Sequence, residues 1–541
     1  MLDLDVARLT RLVGQTGRET VMAARLARDL PGFLRARISF DEARARVRDQ
    51  LARREERFLD LAGRAIYGNP RSPYLTLLRH VGCGPGDLQA LVSREGLEGA
   101  LTVLAGQGVY VTFDEFKGRR VAVRGSARFR FTPEQFDNLL CAPHWVQYSG
   151  GTRGEPSPVR RSLPLVEDLT ASTGSMLVAH GLVGARHIFW VTTPLPPLLS
   201  YLKLSQEVAR WFIPARSIPL KAVLAARLVV VGGRLADQRV PVPRFLDVGE
   251  VGGFVRWIDR RPRDGRPLVV STLTSMAVRI AISAREAEVD LTGVTFRLQS
   301  EPLTEARFDH LRASGARVVD NYALSEAQDI GFSCATSATA NDLHFFSHRY
   351  ALIERERPVV EGGPGVNAML VTSLSDAAPK ICLNTETGDY ARVERRACGC
   401  ELGALGLTTH LSEVRSFEKL SAEGVSFVRT RVVQILEELL PARFGGTSLD
   451  YQLLEEEGDD GATRLVLRAS PAAGAIDADT LRSAFIAELG SGGIMDRHQA
   501  ELLRRAGSVV VSREVPLATA AGKVLSFHLL RRPSSTVTPM E

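Results

Sequence analysis

Five short runs rich in branched and aromatic apolar residues recur through the middle of the chain: RHIFWVTT (186–193), RLVVVGG (227–233), PLVVSTL (267–273), VTFRLQS (294–300) and ARVVDNY (316–322). Helix-length amphipathic segments, among them TSMAVRIAISAREA and TEARFDHLRASG, separate most of them. Strands that alternate with helices return to their sheet by crossovers, so the pattern predicts βα units on a largely parallel sheet. From about 340 to 415 short strands and turns dominate, GVNAMLVTSL among them, which suits a smaller barrel-like or antiparallel subdomain.

The flanks read differently. Residues 1–70 are a helical lead-in, with Ser39-Phe40-Asp41-Glu42 at capping-box spacing and Gly68-Asn69-Pro70 as the stop. Between 106 and 131, GVYVTF and ARFRF alternate as strands do, and Thr132-Pro133-Glu134-Gln135 opens a helix. After residue 419, YQLLEEE, TRLVLRAS, DADTLRSAFIAEL and SVVVSREV form a compact α+β unit. The expected fold class is therefore α/β: a large body over 71–415 with a β-rich subdomain at about 340–415, followed by a small α+β C-terminal domain over 419–541.

A chain of 541 residues, 45% of them hydrophobic, can bury several cores at roughly 150 residues per domain. Its net charge of +6 is spread without a basic cluster or an aromatic-basic pattern, so nucleic acid is not an expected partner. With no run of about 18 apolar residues and no basic-then-apolar start, the expectation is a soluble cytoplasmic protein without a membrane span. The six cysteines are too sparse for a disulfide framework. Basic residues are overwhelmingly arginine; Lys117, Lys203, Lys221, Lys380, Lys419 and Lys523 are the only lysines, which draws notice to each.

Tyr148-Ser149-Gly150-Gly151-Thr152-Arg153-Gly154-Glu155-Pro156-Ser157 follows the candidate strand WVQY. Such a loop can aim successive N–H groups and hydroxyls at phosphate oxygens, because glycine permits close backbone approach. No Gly-Lys-Ser/Thr follows at Walker spacing. The loop resembles the phosphate-binding signature of the acyl-adenylate-forming superfamily, and segments like its other motifs follow in order. Gln299-Ser300-Glu301-Pro302-Leu303 resembles the adenine-side wall, and Asn321-Tyr322-Ala323-Leu324-Ser325-Glu326 the Tyr-Gly-x-Ser/Thr-Glu motif. Thr387-Gly388-Asp389 resembles the Thr-Gly-Asp motif, Arg415 to Lys419 the hinge, and Gly522-Lys523 the closing loop. The Leu-Ser-Glu form of the second motif, the Ser after Pro156 and Cys398-Gly399 resemble the phenylacetate-CoA ligase branch, which includes acyl-protein synthetases. Departures are Gly150, Arg153, Ala323 and Phe417, each at a position where the family prefers another residue.

The resemblance implies an ATP-dependent acid ligase that forms acyl-AMP and passes the acyl group to a thiol, most simply that of coenzyme A. A carrier protein or protein cysteine is the alternative acceptor, and a nucleotide-binding protein without turnover the rival from another class. Ser149, Gly150, Gly151, Thr152 and Gly154 would hold the phosphates, with Ser300, Glu301, Pro302, Tyr322 and Ser325 around the nucleotide. Glu326 would offer a hard oxygen to Mg²⁺. Asp389 would accept from both ribose hydroxyls. Arg415 would add a fixed charge, and Lys523 a mobile one between carboxylate and α-phosphate. Thr152, Glu326 and Lys523 are the catalytic candidates. A hinge near Glu418 would make the C-terminal domain mobile, bringing Lys523 in for adenylation and removing it for thiol attack.

Cys398-Gly399-Cys400 can share one metal ion, and Cys334 with His344 can complete a tetrahedral Cys₃His zinc site of structural kind, with His348 as a competing ligand. Aromatic candidates for the acid pocket are His187, Phe189, Trp190 and Tyr201.

Overall fold

The computed structural model describes residues 6–148, 158–191, 194–214, 220–247, 250–261, 264–301, 303, 305–358, 365–416, 420–422, 425–427, 432, 434–447, 450–457, 463–491, 494–517 and 527–529. At its centre is a six-stranded, all-parallel sheet ordered Arg317–Val319, Val294–Gln299, Leu268–Leu273, Arg186–Trp190, Glu207–Ile213 and Arg244–Phe245. The chain starts in the middle at Arg186–Trp190, steps outward in one direction, then returns to fill the other side. The point where the order reverses lies between Arg186–Trp190 and Leu268–Leu273, and such a reversal opens a crevice beyond the C-terminal strand ends. Ser300 and Glu301 follow directly from the C-terminal end of Val294–Gln299, one strand further along.

Helices cover both faces, which explains the nearly unbroken burial of Leu268–Leu273 and Val294–Gln299. One face carries Phe189 and Val269 and packs against Leu30 and Leu34 of the first helix (Val6–Arg35) and Leu177 of helix Leu163–Ala179. The opposite face, with Ile188, Val270 and Phe296, packs against Val255 and Ile280. The N-terminal helix Phe40–Ala52 begins at Ser39 with a complete capping box: Glu42 N–H donates to Ser39 Oγ at 3.1 Å and Ser39 N–H to the Glu42 carboxylate at 2.7 Å.

The second sheet has seven antiparallel strands, ordered Asn321–Leu324, Gln328–Ser333, Leu343–Phe345, Thr409–Ser416, Thr385–Arg395, Gly365–Ser373 and Tyr350–Pro358. Buried ion pairs and hydrogen bonds tie it to the rest of the body. Arg297 of the parallel sheet lies 3.6 Å from Asp329, and Arg349 bonds the Asp329 carbonyl at 3.0 Å and Asp168 at 2.9 Å. Burial alone would raise the Asp168 carboxyl, but Arg349 and Arg57 hold it down at about 2. The C-terminal part has a four-stranded sheet ordered Val509–Ser512, Thr463–Ala469, Tyr451–Glu457 and Phe527–Leu529, with helices Ala478–Leu489 and Ile494–Ala506. Arg505 pairs with Asp247 of the body, and Arg279 donates to the Ala506 carbonyl at 2.9 Å.

Several local expectations are corrected. RLVVVGG is not a strand but the second half of helix Leu220–Leu235, whose buried residues Ala226, Val229, Val230 and Gly233 follow helical spacing. Gly232 and Gly233, the end of that strand candidate, are packing contacts: a Cβ on Gly232 would stand 2.6 Å from Leu30 Cδ2. ARVVDNY splits between two sheets, ending the parallel one at Val319 and opening the antiparallel one at Asn321. GVYVTF forms only an isolated bridge at Val111, because the Thr112–Glu115 capping box starts helix Phe113–Phe116. TPEQF makes a single 3-10 turn, Pro133–Phe136. His187, Phe189, Trp190 and Tyr201 are core residues rather than pocket walls; the His187 and Tyr201 rings lie 4.0 Å apart, and burial lowers His187 to about 3.

Alanine in a helix is ordinarily favoured over glycine by about 0.5–1 kcal/mol. At Gly232 the sign should reverse, because overpacking a filled contact costs about 1–3 kcal/mol. Urea denaturation should show Gly232→Ala less stable than the parent and Gly86→Ala, where a Cβ meets nothing within 4 Å, unharmed. Equal stability of the two variants would contradict the helix packing.

Candidate active site

The segment Thr385-Glu386-Thr387-Gly388-Asp389 opens the fifth strand of the curled sheet, and neighbouring elements fix its polar groups. Thr385 Oγ1 shares a 2.6 Å hydrogen bond with the buried Tyr74 hydroxyl, and the Glu386 carboxylate accepts from Phe113 N–H at 3.0 Å. Gly388 sits at φ +85°, a conformation that a side chain would strain, and so re-aims the chain immediately before Asp389. Asp389 N–H donates to Thr387 Oγ1 at 3.1 Å, and its carboxylate, 5% exposed, accepts from the Tyr322 hydroxyl at 2.8 Å. Burial first, and Asp389 second, push the Tyr322 phenol well above its ordinary range, so it stays a donor.

Tyr322 belongs to the first strand of that sheet and Asp389 to the fifth. Four strand spacings span about 19 Å in a flat sheet. A 2.8 Å contact between them therefore requires the sheet to curl, bringing the hairpin Asn321–Leu324/Gln328–Ser333 over the Asp389 segment.

Glu326 lies at the tip of that hairpin, and its carboxylate is paired with Lys117, which follows helix Phe113–Phe116. Arg161, at the end of strand Pro158–Arg161, donates to the Ser325 carbonyl and is wholly buried; burial lowers its guanidinium to about 10. That strand pairs with Trp145–Tyr148, Arg161 in register with Trp145 at the end of the hairpin away from the Ser/Gly/Thr segment. Lys380 is nearby in electrostatic terms: burial lowers it to about 8 while Glu326 pulls it up, and it pairs with Asp137 at 2.6 Å. Ser300 is exposed and takes φ +72°, left-handed for a non-glycine residue, and the Glu301 carbonyl accepts from Thr274 Oγ1 at 3.2 Å. Arg415 lies in strand Thr409–Ser416, paired in register with Tyr390. Ser149, Gly150, Gly151, Thr152, Gly154, Pro302, Glu418 and Lys523 lie outside the described residues.

Cys334, His344, Cys398 and Cys400 come together, their ligand atoms all within 4.8 Å of one another. His344 Nε2 is 3.1 Å from Cys400 Sγ and 3.4 Å from Cys398 Sγ, and the two sulfurs are 3.4 Å apart. Four ligands at about 2.0–2.3 Å from a tetrahedral centre stand roughly 3.3–3.8 Å from one another, so the donor set has the size of a zinc site. His344 Nδ1 is 2.6 Å from the Leu407 carbonyl, which fixes the tautomer that presents Nε2 to the thiols. The bond to Cys334 is the first cause that lowers the Cys400 thiol to about 7. Close by, Asp342 accepts from His410 at 2.7 Å and from Arg396 at 2.5 Å. Burial would raise the Asp342 carboxyl, but these partners hold it well below its usual range. His348 is elsewhere, bonded to Ser172 Oγ at 2.9 Å.

Sequence reasoning missed Lys117, Arg161, Asp342 and His410 as parts of these clusters. For Lys117 a signal existed in the rarity of lysine.

No protein-family model matches the chain, and no curated protein does. Among solved structures it is similar to coenzyme A ligases and an amide bond synthetase. A malonyl-CoA ligase with methylmalonyl-CoA and AMP bound is 16% identical over 69% of this chain and 72% of that one, with a TM-score of 0.39. The amide bond synthetase McbA of Marinactinospora thermotolerans is 15% identical over 90% and 98%, with a TM-score of 0.40. The o-succinylbenzoate coenzyme A synthetase of Bacillus subtilis, in complex with ATP and magnesium ion, is 12% identical over 72% and 70%, with a TM-score of 0.33.

Proposed function

We propose that the chain is an AMP-forming acid–thiol ligase. The observation that carries this reading is the meeting of Tyr322 with Asp389, which brings two segments matching adenylating motifs, far apart in sequence, into one hydrogen bond. In the first half-reaction a carboxylate oxygen attacks the α-phosphorus of ATP, and pyrophosphate leaves. In the second, a thiol attacks the acyl carbon, AMP leaves and the thiol proton is released. Coenzyme A is the proposed thiol donor, with the phosphopantetheine arm of a carrier protein as the alternative.

The first step brings two anions together, so the protein's task is positioning and charge neutralisation. Ser149, Thr152 and the glycine N–H groups would hold the β- and γ-phosphates. Asp389, held by Tyr322, would receive the ribose hydroxyls, with Ser300, Glu301 and Pro302 walling the adenine. Arg415 would add charge at the ribose or phosphate, and Lys523 would bridge the attacking carboxylate and the α-phosphate while the C-terminal domain is closed. Glu326, a single hard oxygen donor, suits Mg²⁺, which typically takes one or two carboxylates alongside substrate phosphates. When bound, the ion would neutralise phosphate charge.

An acid-by-acid screen should find pyrophosphate release with at least one carboxylic acid. In Asp389→Ala the KM for ATP should rise roughly ten- to hundredfold, as expected for losing charge-assisted hydrogen bonds worth about 1.5–3 kcal/mol. An unchanged KM, or ATP turnover indifferent to every acid, would overturn the assignment. Supplying coenzyme A and a pantetheinylated carrier protein in parallel separates the acceptors.

Cys334, His344, Cys398 and Cys400 are proposed to hold one zinc ion as a structural clip between the hairpin that carries Glu326 and the loop before helix Glu401–Ala404. A closed site of four protein ligands supplies folding free energy rather than chemistry. Protein purified without chelators should contain about one zinc per chain, and Cys398→Ser should lower both metal content and thermal stability. Metal-free protein of undiminished stability would refute the clip.

A further inference from the structure

The geometry points to Lys117 as the resident counter-cation of Glu326: a positioning residue that holds the carboxylate while no divalent cation is bound, and yields it when one arrives. The inference rests on the reading of Glu326 as the carboxylate that faces a nucleotide-bound cation.

Three observations support it. First, the pair is largely withdrawn from water, with the Lys117 side chain 6% and the Glu326 side chain 17% exposed. A carboxylate in such a place needs a partner at all times, because burial of an uncompensated charge is costly. Second, the backbones on both sides are held without help from the pair. Helix Phe113–Phe116 is closed by its capping box, and Glu115 is gripped by Arg124 at 3.0 and 2.9 Å. Phe113 N–H is bonded to Glu386, and Arg161 holds the Ser325 carbonyl. The bond between Lys117 and Glu326 can therefore open while the main chain stays in place.

Third, the ammonium has compensation besides the carboxylate. Its Nζ lies 5.5 Å from the centre of the Phe113 ring and 5.9 Å from that of Phe116, within the range of cation–π attraction. The four-carbon stem lets the ammonium rotate as a point charge, which the planar fork of arginine does not allow, and this chain otherwise uses arginine almost everywhere. A divalent ion concentrates more charge on a carboxylate oxygen than an ammonium does, so it wins the exchange when phosphates supply its remaining ligands. The released ammonium then stands beside the same phosphates as a second positive charge. Lys117 thus competes with the metal in the empty protein and assists it in the loaded one.

The test is titration of the purified full-length chain with Mn²⁺ alone, without nucleotide, followed by electron paramagnetic resonance. Lys117→Met should bind Mn²⁺ about tenfold more tightly than the parent, because a competing cation has been removed from a shielded carboxylate. Lys117→Gln, which keeps a neutral donor for Glu326, is the second variant should the methionine form fold poorly, and the same tightening is expected. Lys117→Arg, still a cation but one that swings aside less freely, should bind Mn²⁺ more weakly than the parent. Glu326→Gln should abolish this Mn²⁺ site in every background. If Glu326→Gln removes the site but neither neutral Lys117 variant tightens it, the counter-cation role is wrong and the Glu326 reading survives. If Glu326→Gln leaves Mn²⁺ binding unchanged, the reading of Glu326 itself fails.

Discussion

The hydrogen bond between the Tyr322 hydroxyl and Asp389 forms only because a seven-stranded antiparallel sheet is curled far enough for its first strand to meet its fifth. The curl positions everything else in the candidate site. It carries the Glu326 hairpin tip to Lys117 and sets the Ser325 carbonyl against the buried Arg161. Through Arg161 the hairpin Trp145–Tyr148/Pro158–Arg161 is tied to the Glu326 turn. Gly388 at positive φ and the Glu386–Phe113 bond hold the Asp389 segment.

The parallel sheet carries the segment proposed for the adenine side. Its order reverses beside Arg186–Trp190, and the segment Ser300–Glu301 emerges from a C-terminal strand end close to that reversal. The two sheets are joined through the buried Arg297, which reaches Asp329 on the hairpin that carries Glu326, while Arg349 ties that hairpin to Asp168 of helix Leu163–Ala179. On the far side of the hairpin the Cys₃His cluster draws residue 334 toward residues 398–400.

Much of this was legible in the sequence wherever a local pattern carried the information. The runs at 186, 267 and 294 are strands because their residues alternate with helical crossovers, and the Ser39 capping box is formed as its spacing implies. The cysteines and His344 were legible as a group because metal-ligand spacing is partly local. Failures arose where tertiary packing decided. RLVVVGG reads as a strand, yet Gly232 is there to let Leu30 approach a helix. ARVVDNY reads as one strand because nothing local marks the change of sheet at Asp320. Lys117 and Arg161 are separated from Glu326 by 209 and from Ser325 by 164 residues, beyond the reach of any spacing rule. Lysine's rarity was the one clue: Lys117, Lys203 and Lys380 are all buried in ion pairs, where a compact ammonium fits.

The central claim is that the chain joins a carboxylate directly to the α-phosphorus of ATP. Transfer of oxygen follows that bond without reference to any motif. Protein given a substrate acid labelled with oxygen-18 in its carboxylate, together with ATP and the thiol acceptor, should release AMP that carries one labelled oxygen by mass spectrometry. Thioester formed alongside wholly unlabelled AMP would contradict acyl-adenylate formation, whatever the fold resembles.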